Sequence, residues 1–301
     1  MNQLTQLESV SEEFSIASRS YTVWWQAVVL ILLMIWLYSS IVFHLALQWW
    51  QDPNFSHGFF VPAFSIFVLW RDRSRLLSLP RQPSSWGLLI VAFSMCVLIV
   101  GVLGAELFLS RVSLLLLLAG LIVVFFGTGY FRAVLFPLSF LLLMIPIPTI
   151  VFNQITLPLQ ILASKAAAAF LPWLGVPVLR EGNIINLPAM SLEVAEACSG
   201  IRSLVSLVTL AAIYGYAVSS MKWLRVALVL AAVPIAVVAN SLRIVVTGLL
   251  VQYWSPDKAE GFFHSFSGLL MFLASLAMLF VLQQALVRGY RGRRRSRGFP
   301  H

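Results

Sequence analysis

Apolar positions along this chain come in long, nearly unbroken runs, and the polar positions collect in the short gaps between them. Eight segments read this way: 24–47, 59–70, 86–104, 112–127, 131–151, 201–219, 224–251 and 264–287. A run of about eighteen or more apolar residues is long enough, as a helix, to cross a ~30 Å hydrocarbon core. A spanning segment must satisfy its own backbone hydrogen bonds, and these runs lack the period-two alternation of a barrel wall, so helices are the remaining solution. The predicted fold is all-α, a polytopic membrane bundle of about eight transmembrane helices. A further stretch, 152–173, carries Asn153, Gln154, Gln160 and Lys165 near helical spacing and is interrupted by Pro158. It reads as an amphipathic helix lying in the interface, with a ninth span as the alternative. After it, Gly175, Pro177, Gly182, Asn183 and Pro188 punctuate short apolar pieces, which predicts a small hairpin-like extracytoplasmic cap before the next helix.

Composition agrees with the pattern. Of 301 residues, 60% are hydrophobic and 10% charged, which excludes a soluble globular domain. The net charge of +9 does not point to nucleic acid, because the cations lie between apolar runs and in the tail rather than on a stripe with interleaved aromatics. Arg19, Arg71, Arg73, Arg75, Arg81, Arg132, Lys222, Arg225, Arg288, Arg291, Arg293, Arg294, Arg295 and Arg297, fourteen of the 20 Lys and Arg, fall on one face. The positive-inside rule makes that face, with both termini, cytoplasmic. Opposite loops hold Asp52, Glu106, Glu181, Glu193, Glu196, Asp257 and Glu260. The asymmetry requires that 152–173 not cross. The first apolar run is too long for a cleavable signal, so the chain divides into a cytoplasmic segment 1–22, a membrane domain 23–287, and a basic cytoplasmic tail 288–301 that touches anionic lipid.

Reactive groups gather in the last third. Of the two cysteines, Cys96 falls in mid-run and Cys198 at the start of one, so they should lie at different depths and stay unpaired. Cys96 reads as a small buried hydrophobe. Cys198 sits in Glu196-Ala197-Cys198-Ser199-Gly200-Ile201-Arg202-Ser203, where a helix N-terminus or a cation favours thiolate, and Arg202 is one turn along on the same face. Arg243 lies about 12 Å of helical rise before Val251, with Asn240 and Thr247 on its face. An arginine at that depth faces a cavity, a counter-charge or a snorkelling route; simply holding helices together is its bland alternative. His264 opens the last run, followed at helical spacing by Ser267, Gly268, Met271 and Ser275; taken alone it reads as an interfacial histidine. The predicted topology brings Cys198, Arg243 and His264 to one leaflet, and their types define acyl transfer through a thioester: nucleophile, proton relay and oxyanion or substrate partner. No metal-ligand spacing or phosphate loop competes, so no metal or cofactor is expected. A transporter lined by Arg243 and His264 is the main rival, although internal repeats are lacking; a scaffold for envelope polysaccharide assembly is a third reading.

At these residues the chain resembles the exosortases and archaeosortases, multi-pass enzymes that process C-terminal sorting signals. The matching pieces are Ala197-Cys198-Ser199-Gly200-Ile201-Arg202-Ser203, Asn240-Ser241-Leu242-Arg243, His264 with Gly268, and Asp52, Ser56, His57 and Gly58 before the second span. The resemblance runs from about Trp49 to the end of the last helix. It implies Cys198 as nucleophile with Arg243 and His264 as catalytic partners, in the bacterial inner membrane with the site facing the periplasmic side. It also implies a substrate: an exported protein whose C-terminus carries a short motif such as Pro-Glu-Pro, one transmembrane helix and a basic cluster. Arg202, Glu196, Asn240, Ser199 and His57 are the candidate substrate-binding residues around that trio. For the loop 52–58, binding the signal and capping the next helix both stay open, as do solvated and ion-paired roles for Glu193 and Glu196. No extra C-terminal domain is expected after the eighth helix, and the acceptor, water or an amine, is left open.

Overall fold

The computed structural model describes residues 2–52, 54–188, 190–193, 200–218, 221–253 and 262–296, apart from the side chains of 2–24, 26, 27, 193, 200–203, 262–268 and 291–296. It is a helical bundle, as the apolar runs require. The chain forms α1 (Asn2–Gln51), a 3-10 turn Ser56–Phe59 leading into α2 (Phe60–Arg71), a short α3 (Arg73–Leu77), α4 (Trp86–Leu103), α5 (Leu107–Phe126) and α6 (Thr128–Phe140). Then come α7 (Thr149–Phe170), strands β1 (Leu179–Glu181), β2 (Ile184–Asn186) and β3 (Ser191–Glu193), and finally α8 (Gly200–Val218), α9 (Lys222–Tyr253) and α10 (Phe262–Ser296). Among the described residues, six helical stretches are long and apolar enough to cross a membrane, and two shorter apolar ones, Thr128–Met144 and Leu204–Val218, accompany them. The bundle wears its apolar side chains outward: Trp36 is 77% exposed and Leu103 82%. Only a lipid solvent tolerates such a surface.

Packing between helices relies on small residues, since lipid supplies little hydrophobic drive for helices to associate. Along α4 and α5, a Cβ at Gly87, Gly101 or Gly120 would press into the backbone of the facing helix. Serines buried in that seam are all hydrogen-bonded: Ser94 Oγ donates to the Ser113 carbonyl (3.0 Å), Ser113 Oγ donates to the Ser110 carbonyl (2.7 Å), and Ser113 also shares a 3.0 Å bond with the Tyr38 hydroxyl. Cys96, expected as a small buried hydrophobe, faces outward on α4, free and exposed on the apolar surface of the bundle.

Side-chain contacts fix the direction of each helix. At one end, the Tyr216 hydroxyl donates to Asp72 Oδ2 (3.0 Å), and Tyr216 stacks on Phe136 at 4.8 Å. Farther along, Ser65 Oγ donates to the Pro137 carbonyl (3.1 Å), and Trp49 Nε1 to the Met144 carbonyl (2.9 Å). The run expected as one span at 131–151 breaks there: α6 ends in a 3-10 turn, Leu141–Met144, and Pro148 caps a new helix. That helix, α7, was expected to lie in the interface, and instead packs lengthwise on α9. Thr156 and Gln160 share a cavity with Asn240, while Leu171 meets Gly248. The reason is its small buried stripe of Ala163, Ser164 and Ala167, which admits a close neighbour. Since contacts progress in one sense from Phe136 through Met144 and Thr156 to Leu171, α6 and α7 run the same way.

The predicted cap forms against the ends of α7 and α9. The strands make an antiparallel meander in which Arg180 pairs with Ile185 and Ile185 with Leu192. Gly182, at φ 63°, takes the left-handed conformation needed at the first central position of the two-residue β1–β2 turn. Ser164 Oγ of α7 donates to the Gly182 carbonyl (3.1 Å) and pins that turn. Beneath it, Ala163, Ala167, Leu171, Ile185, Leu187, Leu192, Ile244, Val245 and Val251 form one buried cluster joining α7, the sheet and α9.

Candidate functional site

Arg243 lies immediately below that cluster, on α9, and is 5% exposed. A guanidinium stays charged in any protein setting, so burying it this deeply is costly unless it is engaged, and Arg243 does interact with other groups. Its level follows from the helix registers. α8 and α9 are antiparallel: a Cβ on Gly215 would touch Arg225, and Leu204 and Asn240 line one cavity. One turn beyond that pair lie Gly200, the first residue of α8, and Arg243. α10 is antiparallel to α9 as well, with Trp223 and Tyr290 rings 5.8 Å apart and Leu279 packed with Leu228 and Ala232. The Tyr214 hydroxyl donates to Gln283 Oε1 (3.3 Å), setting α10 against α8. Counting back along α10 from Leu279 to His264, about 22 Å, and forward equally along α9 from Ala232, reaches Thr247, one turn past Arg243.

The start of α8, Arg243 and the first turn of α10 therefore share one end of the bundle. Cys198, Ser199 and Glu196 lie outside the described residues, one to four positions before α8; His264 and Arg202 fall on described helices, but their side chains are outside the description. Asn240 is half-buried and lines a cavity of about 20 Å³ with Thr156, Leu159, Gln160, Leu204, Ala236 and Val237, room for about one water molecule. Gln160 and Thr156 come from α7, whose polar spacing was visible in sequence, although the partner it faces was not.

His57 sits at a second recess near the same end. α2 rises only ~18 Å, so the turn before it is tucked against the end of α6. His57 Nε2 donates to the Leu143 carbonyl at 3.3 Å, whereas Nδ1 is buried and makes no hydrogen bond. Burial pushes the imidazole below its usual pKa, with the carbonyls of Leu143 and Asn54 pulling it partly back. Gly58 lies against the Trp49 indole so closely that no Cβ fits. His57, Phe55, Leu142, Leu143, Ile145, Ile147, Phe152 and Val205 enclose about 60 Å³.

Sequence reasoning missed Arg111. It is 3% exposed on α5, its Nε buried without a hydrogen bond. The apolar run was begun at Val112, yet Phe108, Val112, Leu115 and Leu118 repeat at helical spacing and carry the helix upstream through Arg111. Among the described residues, no group of three or more His, Cys, Asp or Glu could hold a metal.

This architecture defines a polytopic membrane protein in which the buried Arg243 and the half-buried Asn240 lie near one end of the bundle, beneath a small sheet. The family model of transmembrane exosortases matches residues 49–281, and the chain belongs to that family. Membership implies a membrane transpeptidase that acts in protein sorting. No curated protein and no solved structure matches the chain.

Proposed function

We propose that this exosortase cleaves C-terminal sorting signals of the Pro-Glu-Pro type through a thioester on Cys198. The thiolate attacks the scissile carbonyl carbon, and Arg243 stabilises the resulting oxyanion. His264 gives a proton to the departing amine as the C–N bond breaks, leaving the thioester. Water or an acceptor amine then attacks, His264 takes the incoming proton, and the thiolate leaves to regenerate the enzyme. Glu196, Ser199, Arg202 and Asn240 contact the signal near the scissile bond. With α6 and α7 making one crossing between them, the chain crosses eight times. The basic loops then face the cytoplasm with both termini, and the site faces the periplasmic side of a bacterial inner membrane. Released proteins serve the envelope and its extracellular polysaccharide.

The observation that supports this reading most is Arg243: a nearly fully buried cation, level with the helix start that Cys198 precedes by two residues and one turn from the level of His264. The test is release of a C-terminally anchored reporter from spheroplasts at matched expression. Cys198→Ala and Cys198→Ser should lose nearly all release, because a serine hydroxyl has a far higher pKa than a thiol. Cys96→Ala should be silent, and a membrane-impermeant maleimide should block the wild type from outside. Substantial release by Cys198→Ala would refute the thioester, and an ineffective impermeant reagent would reverse the orientation.

A further inference from the structure

Arg111 is a buried charge that the reaction proposed above does not use. It belongs to a stripe on α5 whose apolar members, Phe108, Val112, Leu115 and Leu118, pack on the cluster containing Trp49, Phe55, Leu143 and Met144. The same cluster carries the His57 recess, since His57 is bonded to the Leu143 carbonyl and Trp49 to the Met144 carbonyl. Arg111 is thus directed by its helix face toward the α1–α2 turn and the end of α6. Its Nε has no acceptor, and among the described residues no ion pair engages it. The carboxylates closest in sequence on the facing elements do not serve: Asp52 Oδ1 accepts the Asn54 N–H at 2.8 Å, and Glu106 is exposed at the N-cap of α5.

A guanidinium does not shed its proton, so a buried one without a counter-charge is costly to keep and marks a function at membrane depth. The matching ligand is an anion with a planar, two-oxygen face. The surroundings restrict its carrier. Arg111 is 3% exposed, inside the helices rather than on their lipid face, which disfavours a phospholipid with two acyl chains. Across the same apolar cluster, the roughly 60 Å³ cavity at His57 is apolar except for that ring and reaches Phe152 of α7 and Val205 of α8, helices that also border Asn240. An extended peptide, whose side chains alternate in direction, can present an acid to one element and an aliphatic group to another.

We propose that Arg111 anchors a side-chain carboxylate of the polypeptide on which the enzyme acts, and that the cavity beside His57 seats an aliphatic residue of the same segment. This rests on the reading that the substrate is a polypeptide, but not on the identity of the nucleophile. The experiment uses full-length Cys198→Ala protein in detergent and two blocked fluorescent peptides, Ala-Glu-Val-Ala and Ala-Gln-Val-Ala, followed by polarisation. The glutamate peptide should bind about tenfold or more tightly than the glutamine peptide, the worth of a charge-assisted hydrogen bond. Adding Arg111→Met should erase that preference while holding or raising the melting temperature, because an apolar chain of similar length replaces an uncompensated charge. Arg111→Gln provides the second variant if the methionine form fails to insert.

A preference unchanged by either variant overturns the proposal. So does a fall in melting temperature with the preference intact, which would make Arg111 structural. Stabilisation by phosphatidylglycerol over phosphatidylcholine nanodiscs that needs Arg111, without peptide discrimination, would assign the site to lipid phosphate instead. An Arg111-dependent glutamate preference, in a protein whose Cys198 proves dispensable for release, would leave this site standing and sink the thioester.

Discussion

The α4–α5 hairpin and the α8–α9 hairpin are both antiparallel helix pairs, yet they treat buried polarity in opposite ways. In α4–α5 the polar groups of the seam are serines, and Ser94 and Ser113 spend their donors on nearby carbonyls. Glycines at 87, 101 and 120 bring the backbones together and leave no space. In α8–α9 the polar groups are long and diverse: Arg243 is buried, Asn240 lines a cavity shared with α7, and Thr209 Oγ1 is buried without a hydrogen bond. Polarity used as glue is satisfied locally and excludes ligands. On the function proposed above, the polarity of α8–α9 is kept for chemistry, held at some cost and with room beside it.

The largest expected effect breaks the second hairpin. Arg243→Lys keeps one charge but loses the planar fork that can hold an oxyanion at two points. Release should fall on the order of 10²-fold or more, as when an oxyanion donor is removed, while membrane insertion stays at the wild-type level. Near-normal release would reduce Arg243 to a structural charge and erase the contrast between the two hairpins.

A smaller effect, on a different observable, is expected in the first. Gly101→Leu forces a side chain into the backbone of Ser110, an overpacking that should cost about 1–3 kcal/mol of stability. Thermal unfolding in detergent should shift down, with release per folded molecule unchanged. A selective loss of release at unaltered stability would mean that the α4–α5 seam moves during the reaction.

How much of this was legible beforehand depends on which force fixed each residue. Apolar runs longer than a bilayer is thick announced α4, α5, α9 and α10, because lipid demands continuous helices and little else. The cap was legible from Gly175, Gly182 and Pro188, since such residues punctuate short strands. Segment 152–173 misled because its polar face resembles an interfacial helix; the deciding feature was the small stripe Ala163-Ser164-Ala167, whose meaning depends on the Gly248 helix it meets. Cys198, Arg243 and His264 were recognisable as chemical types at the starts or depths of successive runs, and the helix registers bring the start of α8, Arg243 and the first turn of α10 to one end. Arg111 was hidden in plain view. A cation beside an apolar run looks like a loop residue until the run is extended upstream and the arginine falls on its inner face.

The smallest effect concerns His57, where the two kinds of polarity meet: one ring nitrogen is used as glue on Leu143, the other makes no hydrogen bond. Its imidazole is held below its ordinary pKa of 6.5 by burial, so the unfolded chain binds a proton more readily than the folded one. By linkage, the stability contributed by the neutral ring is fully present above pH 6.5. It declines as the pH falls below that value and levels off once the folded-state pKa is passed. Melting temperatures of the wild type should therefore drop between pH 7 and pH 5 more than those of His57→Gln, whose amide N–H can still donate to the Leu143 carbonyl but does not titrate. Arg111 keeps its charge throughout this window, so it does not reproduce the difference. If the two proteins lose stability in parallel over that range, His57 is not held neutral by its surroundings and the recess is open to water.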